Sequence, residues 1–102
     1  MKESRLSRKL LQELNKLEGV KAIKIHGSRY MEAGSPDIFA SVRGQFLVIE
    51  CKRNSKVSLE PLQKQRLKEW GDAGALACSV RNNSEMETLL TFLSDASSPA
   101  AS

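Results

Sequence analysis

The chain has 102 residues, 40% of them hydrophobic and 27% charged, with a formal net charge of +4. That length suits one domain with a modest core, and no stretch approaches the apolar length of a membrane span. A single histidine without a ligand cluster argues against zinc, and two isolated cysteines, Cys51 and Cys78, are expected to be buried thiols in a reducing compartment.

The charge is unevenly spread. Residues 1–68 carry fifteen Lys/Arg beside seven Asp/Glu, whereas residues 69–102 carry only Arg81 beside five acids. A basic portion of this kind suits a polyanionic partner, nucleic acid first, although a solvated surface has the same composition. The charged and then amphipathic N-terminus does not read as a signal peptide.

Leu6, Leu10, Leu14 and Leu17, with Leu11 beside them, recur at helical spacing, and Gly19 is expected to stop that first helix. Glu3 extends the apolar stripe at its N-terminal tip. It is either an acid favoured by the helix dipole or a third carboxylate aimed inward toward a metal. Residues 20–26 read as a strand, with Val20 and Ala22 inward, Lys21 and Lys24 outward, and the faces of Ile23 and Ile25 unresolved by the alternation. A loop of small and polar groups follows. In it Arg29 and Tyr30 could touch phosphate or stack on a base, or merely close the loop, and His26 is expected to be a packed histidine.

Gly34-Ser35-Pro36-Asp37 then opens an apolar run to Val42. Arg43-Gly44 interrupts it, and a second run ends in Glu50-Cys51-Lys52. Two β-rich runs around a Gly-containing pair predict a hairpin. A turn that pairs Val42 with Gln45 places Asp37 opposite Glu50, and alternation brings Lys52 to the same face. Like charges across an antiparallel pair repel, and a hard divalent cation would remove the repulsion. The plainer alternative is a solvated strand end with an ordinary Glu–Lys pair.

Arg53 and Lys56 lie in a polar basic loop. Ser58 is expected to cap a second helix with Pro61 in its first turn and Leu59, Leu62, Leu67 and Trp70 facing inward. Gln63 belongs to that inner face and needs a hydrogen-bond partner: the site, a phosphate or a nearby loop. Lys64 and Lys68 point outward, where they can meet a nucleic-acid backbone. Gly71 and Gly74 end the helix. Residues 76–80 are small and apolar enough for a central strand. Ser84 and Glu87 suggest a capping box for a last helix carrying Met86, Leu89, Leu90 and Leu93. Residues 1–94 form the expected domain and 95–102 a disordered tail. The order α-β-β-β-α-β-α predicts an α/β fold, a mixed sheet flanked by helices.

That order resembles the PD-(D/E)xK nuclease superfamily, on the strength of Pro36-Asp37 and Glu50-Cys51-Lys52. Within it, His26-Gly27-Ser28-Arg29-Tyr30, Glu32-Ala33-Gly34-Ser35-Pro36-Asp37, Gln63 and Gly74-Ala75 resemble a stand-alone VRR-NUC domain of the phage and bacterial type, over residues 3 to about 81. The family's acid often lies deeper in the first helix than Glu3 does. The resemblance implies a restriction-endonuclease-like core and metal-dependent cleavage of DNA phosphodiesters. It implies that Asp37, Glu50, the Cys51 backbone carbonyl and Glu3 hold Mg2+ or Mn2+. Lys52 would orient or help deprotonate the attacking water, and Gln63 would support the site. Arg29, Tyr30, Arg53, Lys56, Lys64 and Lys68 are then the expected DNA contacts. The resemblance further implies a homodimer on branched DNA, such as a four-way junction or flap, in the cytoplasm of a bacterial or phage-infected cell, with no organic cofactor. The alternative is a nucleic-acid-binding module that uses its basic face without catalysis.

Overall fold

The computed structural model describes residues 5–25, 35–51 and 61–95. Its elements are α1 (Arg5–Leu14), β1 (Val20–Lys24), β2 (Ile38–Val42), β3 (Gln45–Cys51), α2 (Pro61–Asp72), β4 (Leu76–Val80) and α3 (Asn83–Ser94), in the expected order. The strands form one sheet in the order β1-β2-β3-β4, antiparallel except for the parallel β3–β4 pair that α2 connects. Among the described residues β4 is therefore an edge strand rather than a central one. Ala77 packs under α2, 3.9 Å from where a side chain at Gly71 would stand, and Cys78 packs against the core on the other face.

Arg43-Gly44 is a two-residue turn that pairs Val42 with Gln45, as expected. Both turn residues have positive φ, 47° and 94°. Such turns carry the right-handed twist of the flanking strands. Arginine is an unusual occupant of that backbone region, and its side chain supplies compensation. Its Nη1 donates to the Glu18 carbonyl at 2.8 Å, its Nη2 donates to the Leu93 carbonyl, and its backbone N–H donates to Gly19. Gly19 itself has φ +77°, and a side chain there would collide with the arginine stem.

Alternation sorts the sheet into two faces. Ala22, Ile38, Ala40, Val42, Leu47, Ile49, Cys51 and Val80 join Leu10 and Leu14 of α1 and Met86 and Leu93 of α3 in one buried core. The other face carries Phe39 and Phe46 against Trp70 of α2, with ring centroids 5.2–5.5 Å apart. Leu62 does not share that packing and is 38% exposed. Lys24 also departs from expectation. It is half-buried on the face of Ala22, and its Nζ donates to Ser7 Oγ at 3.3 Å. The alternation of Val20, Ala22 and Lys24 is thus regular, and a buried serine of α1 receives the polar head.

The helix ends follow local chemistry. After α2, Gly74 at φ +110° lets Gly74 N–H reach Gly71 O and Ala75 N–H reach Trp70 O, a Schellman stop. The cap of α3 is Asn82, whose Oδ1 accepts Glu85 N–H at 2.8 Å, while Glu85 Oε1 accepts Arg81 N–H. The cap therefore lies two residues earlier than the Ser84–Glu87 pairing suggested, because asparagine competes for the same role and comes first in the chain.

All three helices run in one sense relative to the strand ends. Ser7, near the start of α1, meets Lys24 at the end of β1; Gln63, near the start of α2, meets Glu50 near the end of β3; and α3 begins just after β4 ends. At the opposite end, Arg43 binds the chain after α1 and the last turn of α3, and Gln45 Nε2 donates to Gly74 O after α2. The expected Ser58 cap and the tail from residue 96 lie outside the described residues.

Candidate active site at the strand ends

The ladder between β2 and β3 runs from Val42↔Gln45 to Ile38↔Ile49, the register that the turn length predicts. At Asp37 the chain bends rather than continuing as strand. Buried Pro36, which lacks a backbone donor, precedes the bend. Asp37 nevertheless stays stitched into the sheet. Its N–H donates to Ile49 O at 2.9 Å, and its carbonyl accepts Ile25 N–H at 2.6 Å. Its carboxylate Oδ2 accepts Cys51 N–H at 2.8 Å. The two bonds to β3 fall on the residues either side of Glu50, with the side chain of Asp37 replacing a ladder bond; the regular ladder itself ends at Ile38↔Ile49, one step short of the expected Asp37–Glu50 pair.

Glu50 is only 4% exposed. A carboxylate so placed is costly unless hydrogen-bonded. Gln63 Nε2 donates to Glu50 Oε2 at 2.7 Å, which answers where the half-buried amide of α2 finds its partner. The parallel register sets Glu50 beside Ser79 of β4.

Cys51 reports the local electrostatics from the opposite face. Burial first, then the nearby Asp37 and Glu50 carboxylates, push its thiol up to about 12 against a partial offset from Lys24. Burial alone pushes Cys78 up to about 11. Both thiols are thus protonated and inert at neutral pH. Lys24 was not singled out as a site residue by its sequence. Its signal was a lysine at an inward alternation position at the end of β1, one residue before Ile25, which bonds Asp37.

Of the remaining expected site residues, Lys64 and Lys68 are exposed on α2. Lys68 Nζ is held by Asp72 at 2.7 Å, which raises its pKa. Glu3, His26, Arg29, Tyr30, Lys52, Arg53 and Lys56 lie outside the described residues. Among the described residues no three His, Cys, Asp or Glu side chains gather as a metal-binding group. The donor chemistry at Asp37 and Glu50 is oxygen only, which fits a hard cation such as Mg2+ or Mn2+ and not a thiolate-seeking metal. Among the described residues no helix is long and apolar enough to cross a membrane.

The fold has known counterparts. A solved VRR_NUC domain matches with a TM-score of 0.73 and 20% identity, covering 85% of this chain and 91% of that one. A second structure, a VRR_NUC domain protein, matches with a TM-score of 0.68 and 14% identity over 91% of this chain and 88% of the other. The Archaeoglobus fulgidus Hjc, a Holliday junction resolvase from an archaeal hyperthermophile, matches with a TM-score of 0.58 and 26% identity over 78% of this chain and 68% of its own. No curated protein sequence matches significantly. The family model for the archaeal Holliday junction resolvase, Hjc, matches residues 1–78. With that match spanning most of its length, the chain belongs to the Hjc family of nucleases, within the PD-(D/E)xK nuclease-like superfamily.

Proposed function

We propose that this protein is a divalent-metal-dependent endonuclease that hydrolyses phosphodiester bonds in branched DNA, four-way junctions or flaps, as a homodimer. The observation that carries the reading is that Asp37 bonds to the two residues flanking Glu50, Ile49 and Cys51. One carboxylate is oriented by Cys51 N–H and the other by Gln63, at the end of the sheet where α1, α2 and α3 begin.

Asp37, Glu50 and the Cys51 carbonyl would hold the ion, with Glu3 as a further carboxylate. A bound Mg2+ or Mn2+ supplies Lewis acidity and lowers the pKa of water. The protein's own part is positioning. Gln63 fixes the rotamer of Glu50 by donating to Oε2, and Cys51 N–H fixes Asp37. Lys52, next after Cys51 in the sequence, places positive charge where negative charge grows at phosphorus and takes part in deprotonating the attacking water. Arg29, Tyr30, Arg53, Lys56, Lys64 and Lys68 would contact the DNA, Lys68 only after releasing Asp72. Two equivalent sites related by a two-fold axis suit paired incision of a symmetric junction.

The test is cleavage of labelled four-way junction, flap and linear duplex in Mg2+, Mn2+ or EDTA. We expect ion-dependent cutting that favours the branched substrates, and a loss of at least about a hundredfold in Asp37→Asn and Lys52→Ala. Cutting that persists in EDTA, or at wild-type rate in Asp37→Asn, would refute the assignment. Salt-sensitive binding with no cutting in either ion would establish the non-catalytic binding module instead. Light scattering of the protein–junction complex should count two protomers.

A further inference from the structure

We infer that the exposed stripe Arg5, Arg8 and Lys9 on α1 is a contact surface for the DNA phosphate backbone, flanking the strand-end site on the side of the sheet opposite α2. The inference rests on the reading of the partner as DNA, but not on the chemistry at Asp37 and Glu50.

The stripe is defined by helix geometry. Ser7, Leu10 and Leu14 of α1 are buried, and Arg5, Arg8, Lys9 and Gln12 are exposed. Their spacing of three, four and seven residues puts these four on one outward line. The line begins beside the site. Ser7 Oγ accepts Lys24 Nζ, and Ile25, the next residue after Lys24, is bonded to Asp37.

These cations are placed against the interests of their own helix. The N-terminal end of a helix is its positive pole, so cations there cost stability, about 0.3–1 kcal/mol each on an exposed surface. Arg5 also stands three and four residues from Arg8 and Lys9, where like charges repel. The described helix has no acid in its first turn and no base in its last. Its single acid, Glu13, lies toward the C-terminal end and is paired with Lys16 at 3.2 Å. Lys2 and Glu3, which precede it in sequence, cancel in charge. A merely solvated face has no reason to keep three cations in this order, whereas phosphate groups turn the repulsion into attraction.

The contrast with α2 sharpens the assignment. There Arg66 is paired with Glu69 at 3.0 Å and Lys68 with Asp72 at 2.7 Å. Each must give up a carboxylate before it can hold a phosphate. Lys64, exposed near the start of α2, forms no ion pair among the described residues. The backbone would thus run across the strand ends from the α1 stripe to Lys64, passing the two carboxylates.

The test is equilibrium binding of fluorescent four-way junction and linear duplex in EDTA, so that no cutting is needed, across a salt series. For Arg5→Gln/Arg8→Gln/Lys9→Gln we expect the slope of log Kobs against log salt to fall in magnitude by about 2 to 3, since each phosphate contact contributes about 0.9. Arg5→Lys/Arg8→Lys should keep the wild-type slope. Lys16→Gln, just past the other end of the helix, should keep it too. Circular dichroism should show the triple variant folded, with a melting temperature above wild type because the repulsion is gone. An unchanged slope in the triple variant, an equal fall in Lys16→Gln, a melting temperature below wild type, or no binding by the wild type would each overturn the inference. A fall in slope beside a wild type that cuts nothing would uphold this surface while defeating the nuclease reading.

Discussion

Asp37 Oδ2 accepts Cys51 N–H at 2.8 Å, so removing the carboxylate removes a structural bond as well as a charge. The two roles separate by substitution. Asp37→Asn keeps an acceptor oxygen at nearly the same place, whereas Asp37→Ala leaves the N–H of a buried residue to water or to nothing. We expect Ala to cost about 1–3 kcal/mol and Asn well under that, in urea unfolding, with both variants inactive. Equal stability of the Ala variant and wild type would show that the bond does not hold the bend. The thiols give a pH signature at the same scale. Cys51, raised to about 12, and Cys78, raised to about 11, bind protons more tightly folded than unfolded. Their contribution is therefore complete below the ordinary thiol value near 9.0 and is lost as pH rises from there through the folded values. Melting temperatures of wild type should fall more steeply above that point than those of Cys78→Ala. Parallel curves would contradict the burial argument.

Among the elements, the β2–β3 turn has the widest reach. Arg43 sits in the left-handed region and ties the end of the α1 segment at Glu18 to the last turn of α3 at Leu93. Arg43→Ala should cost about 1–3 kcal/mol in urea unfolding, and Arg43→Asn, which tolerates the backbone conformation, somewhat less. A wild-type midpoint for Arg43→Ala would mean that the turn does not couple the two helices. The register of this hairpin was legible in the sequence because a two-residue turn leaves one pairing of the apolar runs, and that pairing led to the stretch of β3 around Glu50 where Asp37 bonds. Gln63 was legible as a polar residue in need of a partner, since its helical position followed from Leu67 and Trp70. Lys24 was misread because its partner, Ser7, lies seventeen residues away on another element. The edge position of β4 was hidden for a similar reason: its side chains record how they pack, not how many strands they adjoin. The α3 cap was misplaced because asparagine, serine and two glutamates offer overlapping capping patterns within six residues.

For the molecule as a whole, overall charge hinted at a polyanionic partner but could not say where it would lie. The basic portion of the sequence contributes to α1, the β2–β3 turn and α2 alike, and only the packed structure separates cations already engaged, such as Lys68, from those left facing outward, such as Arg8. The common direction of the helices has a consequence for approach. The positive poles of three separate helices gather where the strands end and their negative poles gather toward the Arg43 corner, so the molecule behaves as a small compass needle toward any charged polymer. At physiological ionic strength this orientation acts only within about 8 Å. It therefore does little to attract a strand from afar, yet rotates one already grazing the surface until its phosphates face the carboxylate end, before any side chain has closed on it.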